Sequence, residues 1–122
     1  MLRIALGLAA VTGAALALAA VGSARPQATP TLVGTVGPGF TITLKHNGTM
    51  VKTLPAGTYK FVIHDLATIH AFSLDGPHGF AKDFTTVPFK GTKTVTLKLK
   101  AGSYKYYCPP HESFMFHRFT VK

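Results

Sequence analysis

The sequence predicts an all-β domain built as an antiparallel sandwich or barrel. Three observations carry this. Apolar and polar residues alternate with a period of two through most of the chain beyond residue 30, as in FTITLK (40–45) and KTVTLKLK (93–100). Short clusters rich in Gly, Pro and Asn (HNG, PAG, GPHG, AGS) interrupt the alternation at strand-length intervals. After residue 24 no stretch shows a helical period of useful length, which leaves packed sheets as the way to bury the apolar faces.

The elements follow in order. Residues 1–24 read as a signal peptide or an uncleaved membrane anchor. Arg3 gives a positive start, residues 4–21 are uncharged and mostly Ala, Leu, Val and Gly, and Gly22-Ser23-Ala24 offers the small residues a signal peptidase accepts. Residues 25–30 are a short Pro/Thr linker, and residues 31–122 form one domain. That reading places the domain outside the cytoplasm, as a secreted, periplasmic or cell-surface protein. In FTITLK, Phe40, Ile42 and Leu44 share a face, and the HNG turn leads into MVKTL. PAGTYKFVIHD puts Tyr59, Phe61 and Ile63 on the inward face and His64 on the other. IHAFSL opens a strand with His70, Phe72 and Leu74 on one side. GPHG is a loop carrying His78. Val95, Leu97 and Leu99 face in from the next strand, as do Tyr104, Tyr106 and Cys108 from AGSYKYYC, and Phe119 and Val121 from the last. Asp65, Asp75 and Asp83 read as turn residues, and Glu112 as a solvated charge.

The chain carries 13 Lys/Arg against 4 Asp/Glu. Its lysines are scattered along alternating segments rather than clustered, so they read as solvated strand faces, with no nucleic-acid patch. Their summed field would favour encounter with an acidic partner.

Cys108 is the only cysteine. A single cysteine cannot close an internal disulfide, and an exposed thiol outside the cell invites oxidation, so burial or metal ligation is expected. It stands in YYCPPHESFMF (106–116), with His111 three residues on and Met115 seven residues on. Inward Tyr104 and Tyr106 put Cys108 at the end of a strand's buried face, and the next strand starts so soon that the intervening loop must fold back tightly. A thiolate, a thioether and an imidazole are the donors of a Cys/His2 plane with a weak axial Met, the blue-copper arrangement. That arrangement needs a second histidine. Of His46, His64, His70, His78 and His117, His70 is favoured, because it opens a strand whose Phe72 and Leu74 face in.

HAFSLDGP, followed by GTKTVTLKLKAGSYKYYCPPHESFMFHRFTV, resembles the cupredoxins, the plastocyanin- and azurin-like blue copper proteins. The similarity is greatest to bacterial exported plastocyanin-like domains and covers most of residues 33–122. It implies an eight-stranded Greek-key sandwich that binds one copper ion, Cu(I)/Cu(II), and shuttles single electrons. It also implies the ligands His70, Cys108, His111 and Met115. Two positions depart from the family pattern. Ala71 stands where an Asn often braces the ligand loops, and His117 stands where a Gly is usual, sharing by strand parity the side of Met115 and so able to compete as axial ligand.

Around those ligands, Pro109 and Pro110 have no backbone N–H to offer the Cys108 sulfur. The N–H of Ala71 is the expected donor. An electron port is expected at His111 within an apolar collar of Pro110, Phe114 and Phe116. The expectation is therefore a monomeric electron carrier, not an enzyme, serving a redox protein partner and touching a membrane only through residues 1–24. A copper carrier or buffer without redox work is the alternative, disfavoured because only Met50 and Met115 follow the leader.

Overall fold

The computed structural model describes residues 13–14 and 28–122. Apart from those positions, the expected leader or anchor (1–24) and linker (25–30) lie outside the described residues. Among the described residues no helix is long and apolar enough to cross a membrane.

Among the described residues ten strands, rather than the expected eight, make two five-stranded sheets packed face to face. They are β1 (Thr31–Val36), β2 (Ile42–His46), β3 (Thr49–Met50), β4 (Thr53–Leu54), β5 (Gly57–Asp65), β6 (Ser73–Asp75), β7 (Ala81–Asp83), β8 (Gly91–Leu99), β9 (Gly102–Tyr107) and β10 (Phe116–Val121). The first sheet runs β3-β2-β1-β5-β8 and the second β4-β10-β9-β6-β7. This is the cupredoxin-like Greek-key sandwich, with a correction to its expected antiparallel character. β1 pairs parallel with β5, and β4 parallel with β10; the other pairings are antiparallel. The reason is topological. A direct hairpin makes antiparallel neighbours, whereas a strand that returns after a crossover can lie parallel to an earlier one. Here the chain leaves the first sheet after β3, lends β4 to the second, and returns as β5 beside β1.

The alternation read from sequence is the alternation of burial. Tyr59, Phe61 and Ile63 of β5, Tyr104 and Tyr106 of β9, and Phe119 and Val121 of β10 all face the core. Each fully buried aliphatic or aromatic side chain contributes about 1.5–3 kcal/mol of transfer free energy. At the centre, Phe72 stacks on Tyr106 with ring centroids 5.6 Å apart, and the Tyr106 hydroxyl accepts the Leu44 N–H at 3.2 Å. β1 can approach this pair because residue 34 is glycine: a Cβ there would run into the side chains of Ile63 and Phe72.

Three readings change. Phe40 is not in the core; it is 58% exposed and lies before β2 begins at Ile42. The preceding Gly-Pro-Gly ends the alternation, so the strand starts two residues later than its pattern. His70 precedes its strand, which starts only at Ser73. Asp65, Asp75 and Asp83 are not turn residues but the last residues of β5, β6 and β7, and Asp65 is 1% exposed.

Candidate metal centre

One end of the sandwich gathers the C-terminal end of β9, the start of β10 and the loop from β5 to β6. The pairing of β6 with β9 sets Ser73 opposite Tyr107. The residues before Ser73 therefore lie alongside those after Tyr107, and a histidine at 70 meets a cysteine at 108 although 38 positions separate them.

Cys108 is fully buried; it directly follows β9 and continues the inward alternation of Tyr104 and Tyr106. The segment after it closes on itself. Cys108 N–H donates to Met115 O (3.0 Å), His111 N–H to Cys108 O (2.9 Å) and Met115 N–H to His111 O (2.9 Å). Pro109–His111 form a single 3-10 turn in which the two prolines supply no N–H, and their fixed φ suits the turn. This brings His111 back over Cys108 and leaves Met115, 1% exposed, buried at the end of the same loop. His70 is 0% exposed, its N–H bonded to Ala67 O at 3.3 Å.

Three donor atoms form a nearly equilateral triangle. His70 Nδ1 and His111 Nδ1 are 3.3 Å apart, Cys108 Sγ is 3.7 Å from the first and 3.6 Å from the second. The point equidistant from all three lies about 2.0 Å from each, which is the length of a metal–imidazole bond and a little under a metal–thiolate bond of about 2.3 Å. The two sides that include sulfur are the longer ones, as the longer metal–sulfur bond requires. The residues thus fit a single ion held by two nitrogens and one sulfur. Without an ion the arrangement is costly, because two imidazoles and a thiol are packed together with little solvent. Ala71 N–H donates to the Cys108 sulfur at 3.4 Å.

The remaining expected site residues divide. Pro109, Pro110 and Phe114 are exposed around His111, which is half-buried, and the Phe114 ring centroid lies 5.6 Å from that of His111. Phe116 does not join that collar; it lies under the Lys105 ammonium (4.9 Å) and the Arg118 guanidinium (5.9 Å). His117 is exposed and outside the cluster of donors that lie within 4.8 Å of one another. Its ring rests near Tyr106, centroids 5.5 Å apart. The parity argument for it fails because Met115 belongs to the loop, and alternation begins only at Phe116. Glu112 pairs with Lys105 at 2.9 Å on the surface, a contact worth at most about 1 kcal/mol.

Sequence reasoning missed Phe40. Its ring stands edge-on to both histidines, centroids 5.3 Å from His70 and 5.1 Å from His111, so it roofs the site. The GPG before it was the available signal, since it marks a loop where the alternation suggested a strand. Gly37, at φ +78°, was missed as well; a Cβ there would lie 3.0 Å from His70 Cδ2.

No family model matches the chain, and no curated protein matches it in sequence. Solved structures do. A reduced rusticyanin is 26% identical, with a TM-score of 0.55 over 77% of this chain and 79% of its own. A rusticyanin described as a copper protein is 22% identical, TM-score 0.55, over 77% and 78%. An amicyanin at 16% identity and TM-score 0.50, over 80% and 87%, shares the fold. By its two crossed-over sheets the chain has the cupredoxin fold, with two imidazoles and a buried sulfur converging at one end of them.

Proposed function

We propose that the chain is a type 1 copper protein that carries single electrons between redox partners and catalyses no reaction of its own. The observation that carries this is the triangle of two imidazole nitrogens and one cysteine sulfur, sized for one ion, with the buried Met115 closing the same loop. Zinc would also accept the nitrogens and the thiolate, but a thioether adds little for zinc and suits copper. The bound ion would supply a one-electron Cu(I)/Cu(II) couple.

The protein residues do the rest. Cys108, His70 and Met115 are closed off from water, and three backbone hydrogen bonds lock the loop that presents His111. Donors that cannot move hold one geometry in both oxidation states, so little reorganisation accompanies each transfer. Two prolines and one amide donor leave the sulfur with few hydrogen bonds, a lever on its potential. His111, half-buried within Phe40, Phe114 and Pro110, is the proposed port to a redox partner, which the positive net charge suits to be acidic. Placing this work outside the cytoplasm rests on residues 1–24 alone.

Addition of Cu(II) to the purified full chain is expected to give an intense band at roughly 600 nm from thiolate-to-copper charge transfer. A mild reductant should bleach it and reoxidation should restore it. A colourless complex, or a band that survives Cys108→Ser, rules the reading out. Colour that cannot be cycled would instead favour copper carriage.

A further inference from the structure

Among the described residues two buried side-chain atoms have no hydrogen-bond partner: His70 Nε2 and Asp65 Oδ2. Buried polar atoms are rarely left so, and each orphan calls for a reason. The two lie at the same end of the sandwich. Asp65 ends β5 with its Cα beside that of Val36 in β1. At the next residue, Gly37, the place of a Cβ is 3.0 Å from His70 Cδ2, the carbon bonded to Nε2. Consecutive residues at one strand end are thus neighbours of the carboxylate and of the imidazole. The chain between them is a folded turn in which Ala67 N–H donates to Asp65 Oδ1 (3.3 Å) and His70 N–H to Ala67 O (3.3 Å).

The chemistry of the two atoms is complementary. His70 Nδ1 faces Cys108 Sγ and His111 Nδ1. If that nitrogen is to be a ligand it carries no proton, so the proton of the neutral ring is on Nε2, which then needs an acceptor. Asp65 Oδ2 is an acceptor lacking a donor. The other three acidic residues are engaged elsewhere: Asp83 by Ser73, Asp75 by Tyr107 and Glu112 by Lys105.

We propose that Asp65 is a positioning residue for His70. Its Oδ2 accepts the His70 Nε2–H through one buried water, the two atoms not being in direct contact, and so fixes the tautomer and the ring orientation that present Nδ1 to the metal. The purpose of this pairing rests on the copper reading; the two unpartnered atoms at one end of the sandwich do not.

Nitrogen-15 histidine NMR of the metal-free full chain is expected to show the His70 proton on Nε2 and slow to exchange. Asp65→Ala is expected to speed that exchange at least ~10-fold, release the Nδ1–H tautomer, and lower Cu(I) affinity ~10- to 100-fold. Asp65→Asn keeps an acceptor oxygen and is expected to restore most of the affinity, which a loss of packing alone would not predict. Should Asp65→Ala not fold, the wild-type spectrum and Asp65→Asn decide. A wild-type His70 protonated on Nδ1, or an Nε2–H exchanging as fast as that of exposed His117, overturns the proposal. So does equal Cu(I) affinity in wild type and Asp65→Ala. A chain that stays colourless with Cu(II) yet shows the protected Nε2–H refutes the copper reading and leaves the pairing standing.

Discussion

Tyr106 links the core to the site, two residues before Cys108. It is 0% exposed, its hydroxyl accepts the Leu44 N–H, and burial pushes its pKa up to about 12. An acid whose folded pKa is raised holds its proton more tightly folded than unfolded. The stability this contributes is complete below the unfolded value near 10 and is lost as pH rises towards 12. Unfolding free energy measured by denaturant titration should therefore fall by about 2 kcal/mol between pH 9 and pH 11.5 on account of this residue. Tyr106→Phe should flatten that slope while costing about 1–3 kcal/mol at neutral pH, because it strands the buried Leu44 N–H. An unchanged slope in the variant would show that another group titrates. At this scale the donors could be read from their types and spacing, but Phe40 and Asp65 could not. Each sits at a strand end, where a period of two no longer says which way a side chain is turned.

At the scale of elements, β1 is the strand that makes the sandwich close. It joins β2 to β5 in the first sheet and lies against Phe72 of the other layer only because Gly34 has no side chain. Gly34→Ala places a methyl group against Ile63 and Phe72, and overpacking of this kind costs about 1–3 kcal/mol. A lowered thermal midpoint is expected, with β1 and β5 moved apart enough to disturb the neighbouring His70 loop. A variant as stable as the parent would mean that Ile63 and Phe72 can yield. The 108–115 loop behaves otherwise. Its shape is set by its own backbone bonds and prolines, so it was legible from sequence as a tight return; the β5–β6 loop that brings His70 to it is placed only by the pairing of β6 with β9.

Across the whole molecule charge is divided between the layers. The first sheet exposes Lys45, Lys60, Lys93 and Lys98, and its one acidic residue, Asp65, is buried; Asp75, Asp83 and Glu112 belong to the second sheet and its loops. With a formal charge of +9, the copper-loaded protein should be oxidised faster by anionic hexacyanoferrate(III) than by a cationic cobalt(III) complex of similar driving force. The anionic rate should fall as salt is raised. In stopped-flow measurements Phe114→Glu, beside the port, should slow the anionic oxidant several-fold more than Lys100→Glu, after β8 at the opposite end of the sandwich. Equal effects of the two variants would place the port elsewhere.

The sequence by itself determined the alternation that makes strands, the turns that separate them, and a set of soft donors spaced for one metal. Those are local properties, fixed by side-chain type and a period of two. The tertiary structure alone decided that two strand pairs run parallel, that His117 stays in solvent, and that Phe40 covers the site; it also carried the favoured His70 to His111 across 41 positions. These depend on which strand ends share a pole of the sandwich. Sheet pairing between distant segments settles that, and no residue pattern along the chain encodes the distance.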